Sequence, residues 1–139
     1  MEGLRYMLDT DTFSYVVSNR HPSVRMRFSD MAGCTSISSI SYAESRFGAL
    51  KKGSPRLSSQ IEFFSGLIKI LPWTDAEAEA YAEIRTDLEK RGLVIGGNDM
   101  LIAAAALAND LTLVTNNTAH FSRVAGLRRE NWTSQQPTE

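Results

Sequence analysis

Short apolar runs alternate along the chain with longer stretches in which apolar residues recur every three or four positions. The short runs are typical of buried strands, and the periodic stretches are typical of helices that bury one face. The runs predicted as strands cover 5–8, 34–37, 68–71 and 111–114, and 128–132 is a candidate strand at the edge of the sheet. Because helices separate the strands, the pattern predicts an α/β fold in which a parallel sheet carries helices on both faces.

Two predicted helices begin with a capping-box pattern, in which a Ser or Thr is followed three residues later by Glu. Thr74 and Glu77 would start the longest helix, which Gly92 would end. Ser41 and Glu44 would start another helix, with the Glu44 carboxylate bound to the Ser41 backbone amide. Helix capping alone would account for an acid at position 44. On the sequence pattern alone, this structural role is supported at least as well as a functional role.

The stretch 95–102, Ile-Gly-Gly-Asn-Asp-Met-Leu-Ile, places an acid at the start of an alanine-rich helix. Two glycines free the backbone, and Asn98 is predicted to cap the helix with its side-chain oxygen. Asp99 would then lie in the first turn, where the helix dipole favours a negative charge. The helix dipole alone is enough to explain an acid at position 99. A functional role is indicated only if other acidic residues lie close to Asp99 in the fold.

Length and composition fit one compact domain without a membrane segment. We expect a single domain over 1–132 and a polar, disordered tail over 133–139. No apolar run reaches the roughly 20 residues that span a bilayer, and the start does not resemble a signal peptide, which predicts a cytoplasmic protein. A lone Cys34 excludes an internal disulfide. The net charge of −1 does not indicate nucleic-acid binding, so any phosphate-binding face must be local.

Four polar residues are expected at one edge of the sheet. Asp9 and Asn117 follow predicted strands, and Glu44 and Asp99 begin helices that follow strands or turns. Ligands of such sheets bind beyond the carboxyl ends of the strands. Carboxylates gathered there repel one another unless a cation lies between them, and oxygen ligands without Cys or His suit Mg²⁺ or Mn²⁺. Because such an ion also binds phosphate, the set predicts metal-assisted hydrolysis of a phosphodiester.

An ordered set of short motifs extends over almost the whole chain. The motifs are Tyr6-Met7-Leu8-Asp9-Thr10, Ile37-Ser38-Ser39-Ile40 with Ala43-Glu44, Ile95-Gly96 with Asn98-Asp99, Leu113-Val114-Thr115-Asn116-Asn117, and Glu130-Asn131-Trp132. No single motif is decisive, but the ordered set resembles the PIN-domain ribonucleases, and specifically the VapC toxins of bacterial toxin–antitoxin pairs. The resemblance implies a PIN-like fold, an α/β/α sandwich with a central, mainly parallel sheet flanked by helices.

The resemblance also implies roles for the acids. Asp9, Glu44 and Asp99 match the family's acidic metal ligands, and Asn117 matches its fourth position, which is Asp in other PIN domains. Asn at the fourth position removes one charge, so a single Mg²⁺ is expected, with Mn²⁺ as a substitute. These four residues are the expected catalytic set.

Further residues are expected to support the site. Thr10 and Thr115 match hydroxyls that line it, and Asn98 precedes the last acidic ligand. Asp11 stands where the family most often has Asn, and its extra charge would either tighten metal binding or repel the RNA backbone. His120 stands where an acid is common. A contact with a phosphate or the transfer of a proton stays open for it, and the interpretation we favour is an exposed histidine without a role.

A substrate and partners are implied by the same resemblance. The family cleaves RNA, in several members a tRNA anticodon loop, and an unpaired loop fits a shallow site better than a duplex does. Cleavage would inhibit translation until a small VapB-type antitoxin neutralises the toxin. A homodimer is expected around 57–67, within a larger toxin–antitoxin assembly that contacts promoter DNA only through the antitoxin and has no contact with a membrane.

Two other functions stay open at this point. Asp9-Thr10-Asp11 resembles the Asp-x-Asp of haloacid-dehalogenase-type phosphatases, in which Asp9 would be the nucleophile and Asp11 the general acid. That interpretation leaves Glu44 and 115–117 without a role. The second alternative is a catalytically silent module that only binds an antitoxin. The intact set of acids argues against it, because clustered carboxylates are costly to keep.

Overall fold

The computed structural model of the protein describes residues 3–133, so most of the expected tail, 134–139, lies outside the described residues. The described strands are β1 (Tyr6–Leu8), β2 (Thr35–Ser38), β3 (Lys69–Leu71), β4 (Thr112–Val114) and β5 (Arg129–Glu130).

These strands form one sheet in the order β3-β2-β1-β4-β5, and every neighbouring pair is parallel. Parallel neighbours need crossover connections, and helices supply them here. The described helices are α1 (Thr10–Ser18), α2 (Pro22–Met31), α3 (Ser39–Lys52), α4 (Pro55–Ser65), α5 (Asp75–Arg91), α6 (Gly97–Ala108) and α7 (Thr118–Phe121), with a 3₁₀ turn at Ala32–Cys34. The prediction of an α/β fold with a parallel sheet is confirmed.

Both faces of the sheet are buried, as expected of a sandwich. Met7 in β1 and Leu113 in β4 pack with α5 and α6 on one face. The alternate side chains Tyr6 and Leu8 pack on the other face with residues of α1 and α2. Trp132, just after β5, is only 1% exposed and joins this second cluster. The apolar runs predicted as strands therefore form the centre of the core.

The capping box predicted for the longest helix is confirmed. Glu77 accepts a hydrogen bond from the Thr74 backbone amide at 2.6 Å, and the Thr74 side chain accepts from the backbone at the third position of α5. The second Glu77 oxygen accepts from Asn109 at 2.9 Å, which ties α5 to the end of α6. Gly92 ends α5 with a φ of 68°, a conformation that glycine adopts without strain.

The predicted start of α3 is wrong. Ser38, the last residue of β2, is the N-cap, and its side chain accepts from the Ile40 backbone amide at 3.1 Å. Strand and helix therefore meet without a loop, and Ser41 is buried inside the helix. Glu44 consequently lies beyond the first turn, where it cannot complete a capping box with Ser41.

The predicted cap of α6 is wrong as well. Gly96 is the N-cap, with extended backbone and no side-chain cap hydrogen bond, and Asn98 is already helical. The Asn98 side chain instead donates to Glu44 in α3. A partner from a distant helix has thus replaced the local capping interaction. Among the described residues, none of the helices combines the length and apolar character that a membrane crossing requires.

Candidate active site

A cavity of about 190 Å³ opens at the carboxyl edge of the sheet, lined by Asp9, Thr10, Asp11, Glu44 and Asp99. Three separate segments supply these residues. The first three come directly after β1, Glu44 comes from α3 after β2, and Asp99 lies in the first turn of α6. The parallel sheet brings these segments to one edge, as the sequence predicted for Asp9, Glu44 and Asp99.

Asp9 is held where strand β1 becomes helix α1. It is the N-cap of α1, and its Oδ1 accepts from the Thr12 backbone amide at 2.8 Å. The side chain is only 5% exposed. Burial raises the pKa of Asp9 above its usual value, although hydrogen bonds from the Thr115 side chain and the Thr12 amide act in the opposite direction. Its negative charge is therefore costly, and a cation in the cavity would offset that cost.

Glu44 is oriented by residues of two other helices. Thr10 Oγ1 donates to Glu44 Oε1 at 2.5 Å, and Asn98 Nδ2 donates to the other oxygen. Thr10 Oγ1 also lies 3.1 Å from Ser41 Oγ. These contacts replace the capping role that the sequence pattern predicted for Glu44, and they aim its carboxylate into the cavity shared with Asp9.

Asp99 has a partner that the sequence did not indicate. His120 Nε2, from α7, lies 3.1 Å from Asp99 Oδ2. Burial raises the pKa of Asp99, the contact with His120 lowers it, and the neighbouring charges of Asp11 and Glu44 raise it again. His120 is therefore not an isolated exposed side chain, since it touches a cavity carboxylate, and its role stays a prediction.

The predicted residues after β4 lie at different depths. Thr115 is fully buried, its side chain lowers the pKa of Asp9, and its hydroxyl accepts from the Asn117 amide at 2.9 Å. The Asn117 side chain is exposed, and the cavity lining does not include it. Thr115 therefore lies below the cavity lining, and its supporting role and a ligand role for Asn117 both stay predictions.

The donor set of the cavity suits a hard divalent cation. Asp9, Glu44 and Asp99 offer carboxylate oxygens without a sulfur ligand, which is the chemistry that Mg²⁺ and Mn²⁺ prefer. Among the described residues, no three His, Cys, Asp or Glu side chains are already arranged as a metal site. Glu44 and Asp99 would have to exchange hydrogen bonds from Thr10, Asn98 or His120 for metal coordination. The residue types fit, and the fit requires side-chain rotation.

The phosphatase alternative uses less of this cavity. It assigns roles to Asp9 and Asp11 but none to Glu44, which lines the same cavity. It also gives no role to Thr115, which is buried against Asp9. The geometry therefore favours a site built from several carboxylates.

Comparisons with known proteins agree with the fold. A family model described as PIN domain matches residues 6–127. The Ribonuclease VapC2 of Haemophilus influenzae is 42% identical over 130 residues, which cover 93% of this chain and 98% of that protein. The tRNA(fMet)-specific endonuclease VapC of Shigella flexneri is 39% identical, with 93% of this chain and 98% of that protein covered.

Solved structures give the same result. VapBC2 from Rickettsia felis, bound to a DNA fragment from its promoter, contains a chain that is 36% identical with a TM-score of 0.86, covering 93% of this chain and 99% of that chain. A chain of the DNA-bound VapBC from Salmonella typhimurium is 34% identical with a TM-score of 0.88, covering 93% and 98%.

Proposed function

Since the chain belongs to the PIN domain family, we propose that it is a VapC-type toxin, an endoribonuclease that a cognate VapB-type antitoxin neutralises. One observation carries the proposal. Asp9, Glu44 and Asp99 come from three segments and line one cavity, in a chain that is similar to VapC ribonucleases over almost its full length. Residues that bind a purely structural ion or cap helices would not need to meet at the ligand-binding edge of a parallel sheet.

Mg²⁺ is the proposed metal, with Mn²⁺ able to replace it. Asp9, Glu44 and Asp99 would hold the ion, and Asn117 would reach the site as a fourth, uncharged ligand. When bound, the ion would supply an acidified water and neutralise charge that develops on the scissile phosphate.

The other residues of the site orient these carboxylates. The Thr12 amide holds Asp9 through one carboxylate oxygen. Thr10 holds Glu44, and His120 holds Asp99 at Oδ2. Glu44 and Asp99 are thus held at the cavity by neighbours from other segments until a metal replaces those hydrogen bonds.

RNA is the proposed substrate. The Shigella flexneri relative is named a tRNA(fMet)-specific endonuclease, which makes the anticodon loop of a tRNA the first substrate to test. An unpaired loop exposes its backbone and bases to a small cavity at the protein surface. Cutting a tRNA would stop translation in the cytoplasm, where we place the protein.

The proposed partners are those of the relatives. Similar chains occur in VapBC complexes bound to DNA, so this chain is proposed to assemble with an antitoxin and to contact promoter DNA through it. A homodimer is proposed at the predicted region 57–67. There α4 and the turn after it expose Phe63 to 62% and Leu67 to 49%, more than most large apolar side chains of the protein.

The function is tested by incubating the purified protein with total RNA and Mg²⁺ and mapping new RNA ends by sequencing. We expect cuts at discrete positions, lost in EDTA and in an Asp99→Asn variant. Asn keeps the size of the side chain and the start of α6 but removes one charge. Cuts that persist in EDTA, or none at all with either metal, would overturn the proposal. Calorimetric titration of the free protein with Mg²⁺ and Mn²⁺ separates an enzyme from a silent antitoxin-binding module.

A further inference from the structure

Beside the carboxylate cavity, an aromatic ring and an amide bridge α1 and the loop after β4. Asn116 Nδ2 donates to the Tyr15 hydroxyl at 2.9 Å. Tyr15 lies one helical turn after Asp11, which lines the cavity, so the two side chains leave the same face of α1. Asn116 follows Thr115, whose side chain lowers the pKa of Asp9. The pair therefore lies beside residues of the active site at both ends.

The Tyr15 ring is held in one orientation by its surroundings. The His21 ring packs edge-on against it, with centroids 4.5 Å apart and an interplanar angle of 69°. The guanidinium carbon of Arg20 lies 5.8 Å from the Tyr15 ring centroid. Arg20 is exposed and takes part in none of the ion pairs formed by the described residues. Its charge is therefore available to an anionic ligand.

These side chains are the ones that bind unpaired nucleotides in other contexts. Bases stack on aromatic rings and guanidinium planes, whatever their sequence, because every base has a π face. The exposed Asn116 amide keeps its carbonyl oxygen and a second N–H available for the edge of a base. Arg20 can bind a backbone phosphate. With a net charge of −1, the protein as a whole does not attract RNA. Binding of RNA therefore depends on local contacts such as those of Tyr15, Arg20 and Asn116.

A purely structural role explains the arrangement less well. The hydrogen bond between Asn116 and Tyr15 is exposed, and exposed hydrogen bonds contribute little to stability because water competes for both partners. Asn116 itself is exposed rather than packed. The contact fixes the position of the ring more than it stabilises the fold.

We propose that Tyr15, Arg20 and Asn116 form a nucleotide subsite that binds an unpaired base next to the scissile phosphate and contributes to the choice of cleavage position. The subsite rests on the proposed ribonuclease function and adds to it a binding determinant outside the carboxylate set. Tyr15 would stack with the base, Asn116 would contact its edge, and Arg20 would bind the adjoining phosphate.

The first test measures binding without cleavage. Fluorescence anisotropy in EDTA would follow a labelled single-stranded RNA and, as a control, a duplex of the same sequence. Tyr15→Ala should weaken single-strand binding about tenfold. Tyr15→Phe keeps the ring and should bind within about twofold of the wild-type protein. Duplex binding should be the same for all three proteins. Circular dichroism and thermal unfolding would establish that each variant is folded.

The second test measures base choice. Short RNAs that differ only in the bases next to the cut would be compared by the ratios of their kcat/KM values. Asn116→Ala should bring these ratios closer together, and Arg20→Gln should raise KM for all of them alike.

The two proposals fail in different ways. If the wild-type protein cleaves RNA but Tyr15→Ala and Asn116→Ala bind and select RNA as it does, the subsite is wrong and the ribonuclease function stands. If the wild-type protein cleaves no RNA while Tyr15→Ala still loses single-strand binding, the ribonuclease function is wrong, and of the subsite only the binding of single strands by Tyr15 stands. Absence of single-strand binding and of cleavage in the wild-type protein would overturn both.

Discussion

His120 Nε2 lies 3.1 Å from Asp99 Oδ2, and this contact links the short helix α7 to the first turn of α6. Its effect on Asp99 opposes that of the surrounding protein. Burial raises the pKa of Asp99, and the nearby charges of Asp11 and Glu44 raise it too, whereas His120 lowers it. His120 therefore helps to keep Asp99 ionised, which is the form that a cation binds.

Removing His120 should raise the pKa of Asp99 further. A higher carboxyl pKa means that the proton is retained to higher pH, and a cation must displace it. In His120→Ala, calorimetry should therefore show Mg²⁺ binding that is lost at a higher pH than in the wild-type protein. Carboxyl NMR titration of the metal-free variant gives the Asp99 pKa directly. An unchanged Asp99 pKa would contradict the prediction. His120→Gln is the matched control, because it keeps a neutral hydrogen-bond donor for Asp99.

Asp9→Asn should stabilise the metal-free protein while abolishing activity. Asn caps a helix about as well as Asp does, so α1 should keep its start. The substitution removes a charge that burial disfavours, and the free energy of unfolding near neutral pH should rise by roughly 0.5–2 kcal/mol. Urea unfolding measures this gain. Adding Mg²⁺ should raise the unfolding temperature of the wild-type protein but not that of the variant, and an equal rise in both would exclude Asp9 as a ligand.

Glu44→Gln should lose RNA cleavage without losing stability. Glu44 does not cap α3, because Ser38 does, so the helix start is untouched. Gln can still accept from Thr10 but is a poorer metal ligand than a carboxylate. Loss of one charged ligand should lower kcat/KM about 100-fold or more, since a metal contributes several kcal/mol to the transition state. Near-normal cleavage at unchanged stability would limit Glu44 to an orienting role.

Asp11→Asn should keep most of the metal-dependent RNA cleavage. Asp11 is exposed at the cavity, where its charge raises the pKa of both Asp9 and Asp99. Removal of this charge should lower both pKa values. It should change kcat/KM by less than about tenfold, because one exposed charge interacts with a neighbouring charge by only about 1 kcal/mol. Single-turnover cleavage assays would measure this. A complete loss of activity would instead support Asp11 as the general acid of a phosphatase-like mechanism.

Glu77 should make stability depend on acid pH. Desolvation alone would raise the pKa of this buried carboxyl, but hydrogen bonds from Thr74 and Asn109 outweigh it and lower the pKa. The resulting stabilisation is complete above the ordinary glutamate pKa and is lost as the pH falls through the lower folded-state value. We expect Glu77→Gln to unfold more easily than the wild-type protein by about 1 kcal/mol near neutral pH. The difference, measured by urea unfolding, should shrink in acid; one that stays constant would contradict the prediction.

Local patterns were enough for the fold and for part of the site. The apolar runs around Tyr6–Leu8 and Thr112–Val114 predicted buried parallel strands, since a strand buried on both faces needs apolar residues at every position. In a parallel sheet, the residues directly after each strand lie at the same edge. This places Asp9 there directly after β1 and Glu44 in the helix that follows β2, while Asp99 was expected there as the acid that begins α6.

Tertiary contacts decided the remaining details. Ser38 rather than Ser41 caps α3 because β2 runs directly into the helix, and the Ser-x-x-Glu pattern does not reveal where a strand ends. Asn98 binds Glu44 and His120 binds Asp99 across large separations in the chain, and no local periodicity encodes such pairs. The sequence by itself thus predicted that Asp9, Glu44 and Asp99 gather at the sheet edge, but not that His120 joins them. Only the packing of α3, α6 and α7 against one another decided which hydrogen bonds hold them, because those bonds depend on side chains from separate segments.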